Sequence, residues 1–148
     1  MLTTVRDLLK VKGDALFVVQ PDTPIIDAIK MLAEKRIGDL LVLEDDQITG
    51  ILSERDIVRR IAAENTYHHE TPVSVYMTTE VFTIHPSQTI EDCMRLMTEK
   101  RIRHLPVVEN GQPIGMISIG DVIKAIISSQ EFTIEQLQKY ISGGGYNQ

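Results

Sequence analysis

Apolar and polar positions follow the same rhythm twice along the chain. Residues 16–20 (Leu-Phe-Val-Val-Gln) and 81–85 (Val-Phe-Thr-Ile-His) are short β-branched and aromatic runs stopped by Pro21 and Pro86, and predict strands. Asp22-Thr23-Pro24 and Ser87-Gln88-Thr89 then have the composition of helix starts, with Pro24 suited to a first turn. Ile25, Ala28, Ile29 and Leu32 fall on one helical stripe, as do Ile90, Cys93, Met94 and Met97. The apolar runs 40–43 and 105–108 predict further strands. Each leads through a turn, Glu44-Asp45-Asp46-Gln47 or Glu109-Asn110-Gly111-Gln112, into another strand at Ile48–Leu52 or Pro113–Ile117. Asn-Gly between two strands is a strong hairpin signal. Helices follow from about Glu54 and Ile119, so each unit is β-α-β-β-α.

The rhythm is a duplication. Residues 17–64 align with 82–129 without a gap at an offset of 65, and 16 of the 48 pairs are identical. The identities include Phe17/Phe82, Pro21/Pro86, Gly50/Gly115, Ser53/Ser118 and Asp56/Asp121. A unit of about 50 residues buries too little apolar surface alone, whereas two copies packed as a pseudo-twofold pair bury enough. The flanks echo each other as well: Thr4-Val5-x-x-Leu8-Leu9 and Pro72-Val73-x-x-Tyr76-Met77 each predict a short lead-in helix. The expected organisation is a first repeat with its lead-in over 1–64, a polar connector at 65–70, and a second repeat with its lead-in over 71–130. A tail over 131–148 is expected to form a last helix from about Thr133, carrying Ile134, Leu137, Tyr140 and Ile141 on one side, with Gly143-Gly144-Gly145 ending the order. The class is α/β.

Composition narrows the functions. The 148 residues are 43% hydrophobic and 24% charged, with a net charge of −6, the balance of a globular protein. An acidic chain gains no counterion-release term from a phosphate backbone, which argues against nucleic acid as a partner. No apolar stretch approaches the roughly 18 residues of a membrane helix, and no secretory signal pattern is visible. The single cysteine, Cys93, fits a reducing compartment and lies on a core stripe, so a cytoplasmic protein is expected.

The motif Gly-x-x-Ser-x-x-Asp occurs twice, as Gly50, Ser53, Asp56 and as Gly115, Ser118, Asp121. Ser-x-x-acid at a strand-to-helix junction is a capping box, which accounts for Ser and Asp by itself. The same junction also presents backbone N–H groups and a positive dipole end suited to phosphate, with an Asp one turn in that can accept bonds from ribose hydroxyls. A nucleotide satisfies both demands. Lys100-Arg101-Ile102-Arg103-His104 places four potential cations in five residues. Lys and Arg at a helix C-terminus complement its dipole, but Arg103 and His104 lie past that end and are candidates for phosphate contacts. The first repeat has Gly38-Asp39 there, so the halves should differ in tolerance of phosphate. Adjacent His68 and His69 on a polar linker point in diverging directions and make no metal site. No nucleophile, second catalytic carboxylate or GxxxxGK loop accompanies the acidic residues, so catalysis is not expected.

With the duplicated β-α-β-β-α unit, the repeated Gly-x-x-Ser-x-x-Asp and Arg-His-Leu-Pro-Val at 103–107, residues 3–130 resemble a tandem cystathionine β-synthase (CBS) domain pair, or Bateman module. The tail from Glu131 to Leu137 resembles small bacterial stand-alone CBS-pair proteins and their plant organellar relatives. The resemblance implies a regulatory module binding AMP, ADP, ATP, NAD(H) or S-adenosylmethionine in clefts between repeats, forming a disc-shaped homodimer, and signalling to a partner protein. It implies one cleft using Ser53, Arg55 and Asp56 with Phe82, Thr83, Arg103, His104 and Pro106. The other would use Ser118, Ile119 and Asp121 with Val18, Thr23, Gly38 and Asp39. The aspartates would hold ribose, strand residues would flank adenine, and Ser with the basic residues would meet phosphate. Leu41 in place of Pro106, and Gly38-Asp39 in place of Arg-His, set the second cleft apart as a phosphate site. A ligand-independent dimerisation scaffold, in which the motifs are only caps, is the alternative.

Overall fold

The computed structural model describes residues 4–144, the side chains of 143 and 144 excepted. Its elements in order are α1 (Val5–Lys12), β1 (Val18–Val19), α2 (Ile25–Lys35), β2 (Asp39–Glu44), β3 (Gln47–Ser53), α3 (Glu54–Glu64), α4 (Val73–Tyr76), α5 (Ile90–Lys100), β4 (His104–Glu109), β5 (Gln112–Ser118) and α6 (Ile119–Lys139), followed by a π-helical turn at Tyr140–Gly144. The β-α-β-β-α unit is visible twice. The chain forms two compact units: one holds the segment through Asp14 with Ile84–Val107 and Gly115 onward, and the other holds Ala15–Thr83 with Val108–Ile114.

In the second of these units β1, β2 and β3 form a sheet in that order, β1 parallel and β3 antiparallel to β2. Val19, Ile25, Ala28, Leu32, Leu40, Val42, Leu52, Ile57, Val73 and Tyr76 make its core. The stripe on α2 is therefore the stripe it buries. In the other unit β4 and β5 pair, and Ile84 bridges Val107 in parallel where β1 would stand. The expected strand at 81–85 shrinks to that bridge for a chemical reason. In the first repeat Leu41 N–H donates to the Phe17 carbonyl at 3.1 Å. The matching residue is Pro106, which has no N–H to give.

Turn and cap chemistry explains most boundaries. Asn110 and Gly111 take φ values of 54° and 76° between β4 and β5, as the hairpin signal predicts. Between β2 and β3 the same left-handed conformations fall on Asp45 (φ 51°) and Asp46 (φ 63°), where a Cβ is unfavourable. Asp46→Gly should raise stability by about 0.5–1 kcal/mol in urea denaturation; an unchanged midpoint would show that the turn carries no strain. Thr4, Ser53, Thr89 and Ser118 each close a capping box with the Asp three residues on. Pro24 has no side chain to cap α2.

The separate last helix from about Thr133 is not found: α6 runs unbroken over 21 residues, from Ile119 to Lys139. Its counterpart α3 stops at Asn65, which adopts the left-handed conformation that ends helices. The aligned residue is Gln130, a good helix former, and neither Gly nor Pro follows before Gly143. Gly143 and Gly144 continue in the π-helical turn; Gly145 lies outside the described residues.

The lead-in helices form where expected, but each packs away from the repeat it precedes. Val5 and Arg6 N–H bond the Gln88 and Pro86 carbonyls, and Thr4 bridges Thr89, tying α1 to the second repeat. Val73 N–H bonds the Thr23 carbonyl, Pro24 bridges Pro72 and Thr78 bridges Ile51, tying α4 and its exit to the first repeat. The sequential division at 1–64 and 71–130 thus runs along the chain, while each compact unit takes its lead-in from the other end of it. The packing explains the motif glycines. A Cβ on Gly115 would lie 2.7 Å from Leu9 Cδ2, and one on Gly50 would lie 2.7 Å from Met77 Sδ and 2.8 Å from the Thr78 carbonyl. Neither glycine has a positive φ; both are there for close approach.

Candidate functional site

Both Ser-x-x-Asp turns are built alike. Asp56 N–H donates to Ser53 Oγ at 3.0 Å, and Asp56 Oδ2 accepts from Ser53 N–H at 3.3 Å. Asp121 N–H donates to Ser118 Oγ at 3.1 Å, and Asp121 Oδ2 accepts from Ser118 N–H at 2.8 Å. The helix N-terminus is also tied by the strand-entry residue: Glu54 N–H bonds the Gly38 carbonyl at 3.0 Å, and Ile119 N–H bonds the Arg103 carbonyl at 2.8 Å. Two of the first three backbone donors on each helix are therefore already used, so the termini offer phosphate less than the sequence reading expects.

The surroundings of the two carboxylates differ. Asp56 Oδ2 also accepts from the Thr78 hydroxyl at 3.2 Å. Asp121 Oδ2 accepts from Lys12 Nζ at 2.6 Å, and the same ammonium bonds the Met116 carbonyl. Burial alone would raise the Asp121 carboxyl. The Lys12 hydrogen bond and charge, with the Ser118 N–H, outweigh it and hold the carboxyl below its ordinary value. The structure gives Oδ1 of either aspartate no protein hydrogen bond among the described residues. Thr78 and Lys12 were not legible from the motif because both come from the lead-in segments. The available signal was the flank echo, which makes Leu9 and Met77 counterparts one to three residues before them.

Within each repeat the strand-entry residues are tied through the backbone to the turn of the same repeat. Arg103 and His104, expected with Asp56, are joined by the Arg103 carbonyl to the Asp121 turn, and Pro106 follows on β4. Gly38 and Asp39, expected with Asp121, are joined to the Ser53 turn, with Asp39 opposite Ser53 in the β2–β3 register. The cause is the strand-to-helix connection: the residue entering each strand caps the helix leaving the next strand of the same repeat. The basic pair thus accompanies Asp121 and the acidic residue accompanies Asp56.

His104 opens β4 half-buried. Burial first, then the charges of Lys12 and Arg103, lower its pKa to about 4 against the partial pull of Asp121, so the imidazole is neutral near pH 7. Arg103 and Arg55 are exposed, on the entry to β4 and the first turn of α3. Asp39 is buried, at 7% exposure. Val18 pairs with Leu41 in the sheet. Thr23 is half-buried and shapes the turn before α2, its hydroxyl accepting from Gln20 N–H at 3.1 Å. Phe82 is half-buried and Thr83 exposed, just before the Ile84 bridge, and Ile119 begins α6. Cys93 is fully buried, and desolvation, with the neighbouring Asp92 charge, pushes its thiol up to about 11, as a core residue requires. His68 and His69 bond Thr66 and Tyr67 side chains. Among the described residues no helix is long and apolar enough to cross a membrane.

Comparison with known proteins agrees with this architecture. The CBS domain family profile matches twice, at residues 5–63 and 73–128. The chain is 36% identical to the CBS domain-containing protein CBSX3, mitochondrial, of Arabidopsis thaliana, over 96% of this chain and 73% of that one. A CBS-domain containing protein from Agrobacterium tumefaciens superposes with a TM-score of 0.80 at 41% identity, covering 84% of this chain and 94% of the other. The crystal structure of CBSX2 in complex with AMP superposes with a TM-score of 0.70 at 30% identity, covering 86% and 98%.

Proposed function

The chain belongs to the CBS-domain family, and from that premise we propose that it is a non-catalytic regulatory module binding an adenosine-containing ligand at its Ser-x-x-Asp turns. The observation that carries this reading is the paired carboxylates. Each cap engages Oδ2 and leaves Oδ1 without a protein hydrogen bond among the described residues, an acceptor open to a ribose hydroxyl. The cap aspartate Asp92, by contrast, has its Oδ1 taken by Arg95 at 3.0 Å. The AMP in the CBSX2 complex supports the ligand class. AMP, ADP, ATP and NAD(H) share the adenosine that the turn would hold. Occupancy would favour one packing arrangement of the protein, and a second protein would respond to it.

A flat response would favour the rival, a ligand-independent scaffold, which the completed capping boxes also satisfy. Thermal unfolding against AMP, ADP, ATP, NAD, NADH and S-adenosylmethionine, with GMP as control, separates the two. A ligand at a hundred times its Kd stabilises by about 2.7 kcal/mol, a rise of about 5–10 °C at this size. Asp56→Asn and Asp121→Asn keep one capping oxygen and remove an acceptor, so each should cut the shift. No shift with any adenosyl compound would leave the scaffold.

We also propose self-association. Val58 and Ile123, counterparts on α3 and α6, are exposed, as are Ile127, Ile134, Leu137, Tyr140 and Ile141. Large exposed apolar side chains in that number on so small a protein mark an interaction surface. Sedimentation should give a dimer, and Ile127→Glu should shift it toward monomer; an unchanged mass would place the contact elsewhere.

A further inference from the structure

We infer that Lys12 sets the ligand selectivity of the Asp121 turn, favouring adenosyl ligands that carry an anionic group over neutral ones; this rests on the reading that Asp121 holds ribose. Oδ2 of Asp121 has two lone-pair directions, and Ser118 N–H and Lys12 Nζ take both. The Ser118 bond belongs to the helix cap. A diol spanning both carboxylate oxygens must therefore displace Lys12.

The displaced ammonium has the Met116 carbonyl but loses its negatively charged partner. It sits at the end of α1, where Gly13 caps the helix with a φ of 98°, and its side chain is 32% exposed. Its neighbours His104 and Arg103 offer no negative charge, and His104 is neutral. A phosphate on the ligand supplies one, and Arg103 stands beside the same turn to share it. A neutral nucleoside supplies none and leaves the ion pair broken. The other turn acts as an internal control: Asp56 Oδ2 meets the Thr78 hydroxyl, a neutral donor that can rotate away without stranding a charge. The Asp56 turn should therefore accept neutral and charged ligands more evenly.

The test is calorimetric titration of adenosine and AMP into Asp56→Asn protein, which leaves the Asp121 turn as the working one, and into Asp56→Asn/Lys12→Met. In the single variant AMP should bind at least about tenfold more tightly than adenosine. Adding Lys12→Met should tighten adenosine about fivefold, the worth of a partly exposed ion pair, and weaken AMP, so that the ratio collapses. Lys12→Arg should keep it. Adenosine affinity unmoved by Lys12→Met, with AMP still bound, overturns the assignment of Lys12 alone. Binding in the wild type that vanishes in Asp56→Asn overturns it by showing that the Asp121 turn takes no ligand. Absence of binding in every protein, wild type included, sinks the adenosyl reading beneath it.

Discussion

Gly50→Ala should lower the melting temperature by about 5–8 °C, whereas Gly115→Ala should cost less than about 3 °C. Both glycines lie beneath a lead-in segment, yet the atoms they face differ. The new methyl at position 50 meets the Thr78 carbonyl at 2.8 Å as well as Met77 Sδ at 2.7 Å. Met77 can change rotamer. Thr78 cannot give way so easily, because its backbone exchanges two hydrogen bonds with Ile51 at 2.8 and 2.9 Å. At position 115 the obstacle is the tip of the Leu9 side chain, with contacts at 2.7 and 3.2 Å to its two methyls. A rotation there relieves the clash. Overpacking against fixed backbone typically costs 1–3 kcal/mol. Differential scanning calorimetry of the two variants decides the matter, and equal losses would mean that the Thr78 backbone moves as freely as a leucine methyl.

The second large effect is acid sensitivity. His104 has a pKa near 4 in the folded protein against an ordinary 6.5, so between those values the unfolded chain binds the extra proton. Stability rises with pH wherever the unfolded state holds more protons. The contribution of His104 is therefore intact above about pH 6.5 and falls as the pH drops toward 4, by at most about 1.4 kcal/mol per unit. Across the window the loss approaches about 3 kcal/mol. Asp121, with a lowered carboxyl pKa, acts in the same direction only below its unfolded value near 4. Urea midpoints at pH 7, 5.5 and 4.5 should fall steeply for the wild type and much less for His104→Gln. An imidazole titrating at 6.5 in the folded protein, followed by NMR, would refute the assignment.

The duplicated unit, the hairpin at Asn110-Gly111, the capping boxes and the burial of Cys93 were all legible, because each is written in local chemistry: a period, a turn dipeptide, a Ser three residues before an Asp. What escaped the sequence is what depends on packing partners. The flank echo identified Thr4-Val5 and Pro72-Val73 as equivalent lead-ins, yet equivalence does not say which repeat each one meets. Lys12 and Thr78 were missed for that reason. The basic run in sequence counts His104 among its potential cations, whereas its protonation is governed by burial and by Lys12, distant in the chain. The length of α6 turned on one substitution, Gln130 in place of Asn65, that a repeat alignment treats as an ordinary mismatch.

The crosswise lead-ins also impose an order on synthesis. A chain leaving the ribosome completes Ala15–Thr83, the greater part of one unit, before any residue beyond Thr83 exists. Domains tend to fold as units while translation proceeds, the earlier ones first. Helix α1 precedes that stretch in the chain, yet it belongs to the other unit. Its partners Gln88, Gly115 and Asp121 are translated after that stretch, so the amphipathic helix, with Val5, Leu8 and Leu9 destined for burial, stays without its seat until they emerge. A helix translated before Ala15–Thr83 thus docks after it, and a ribosome stalled before Gly115 holds one finished unit and an apolar helix still without its seat.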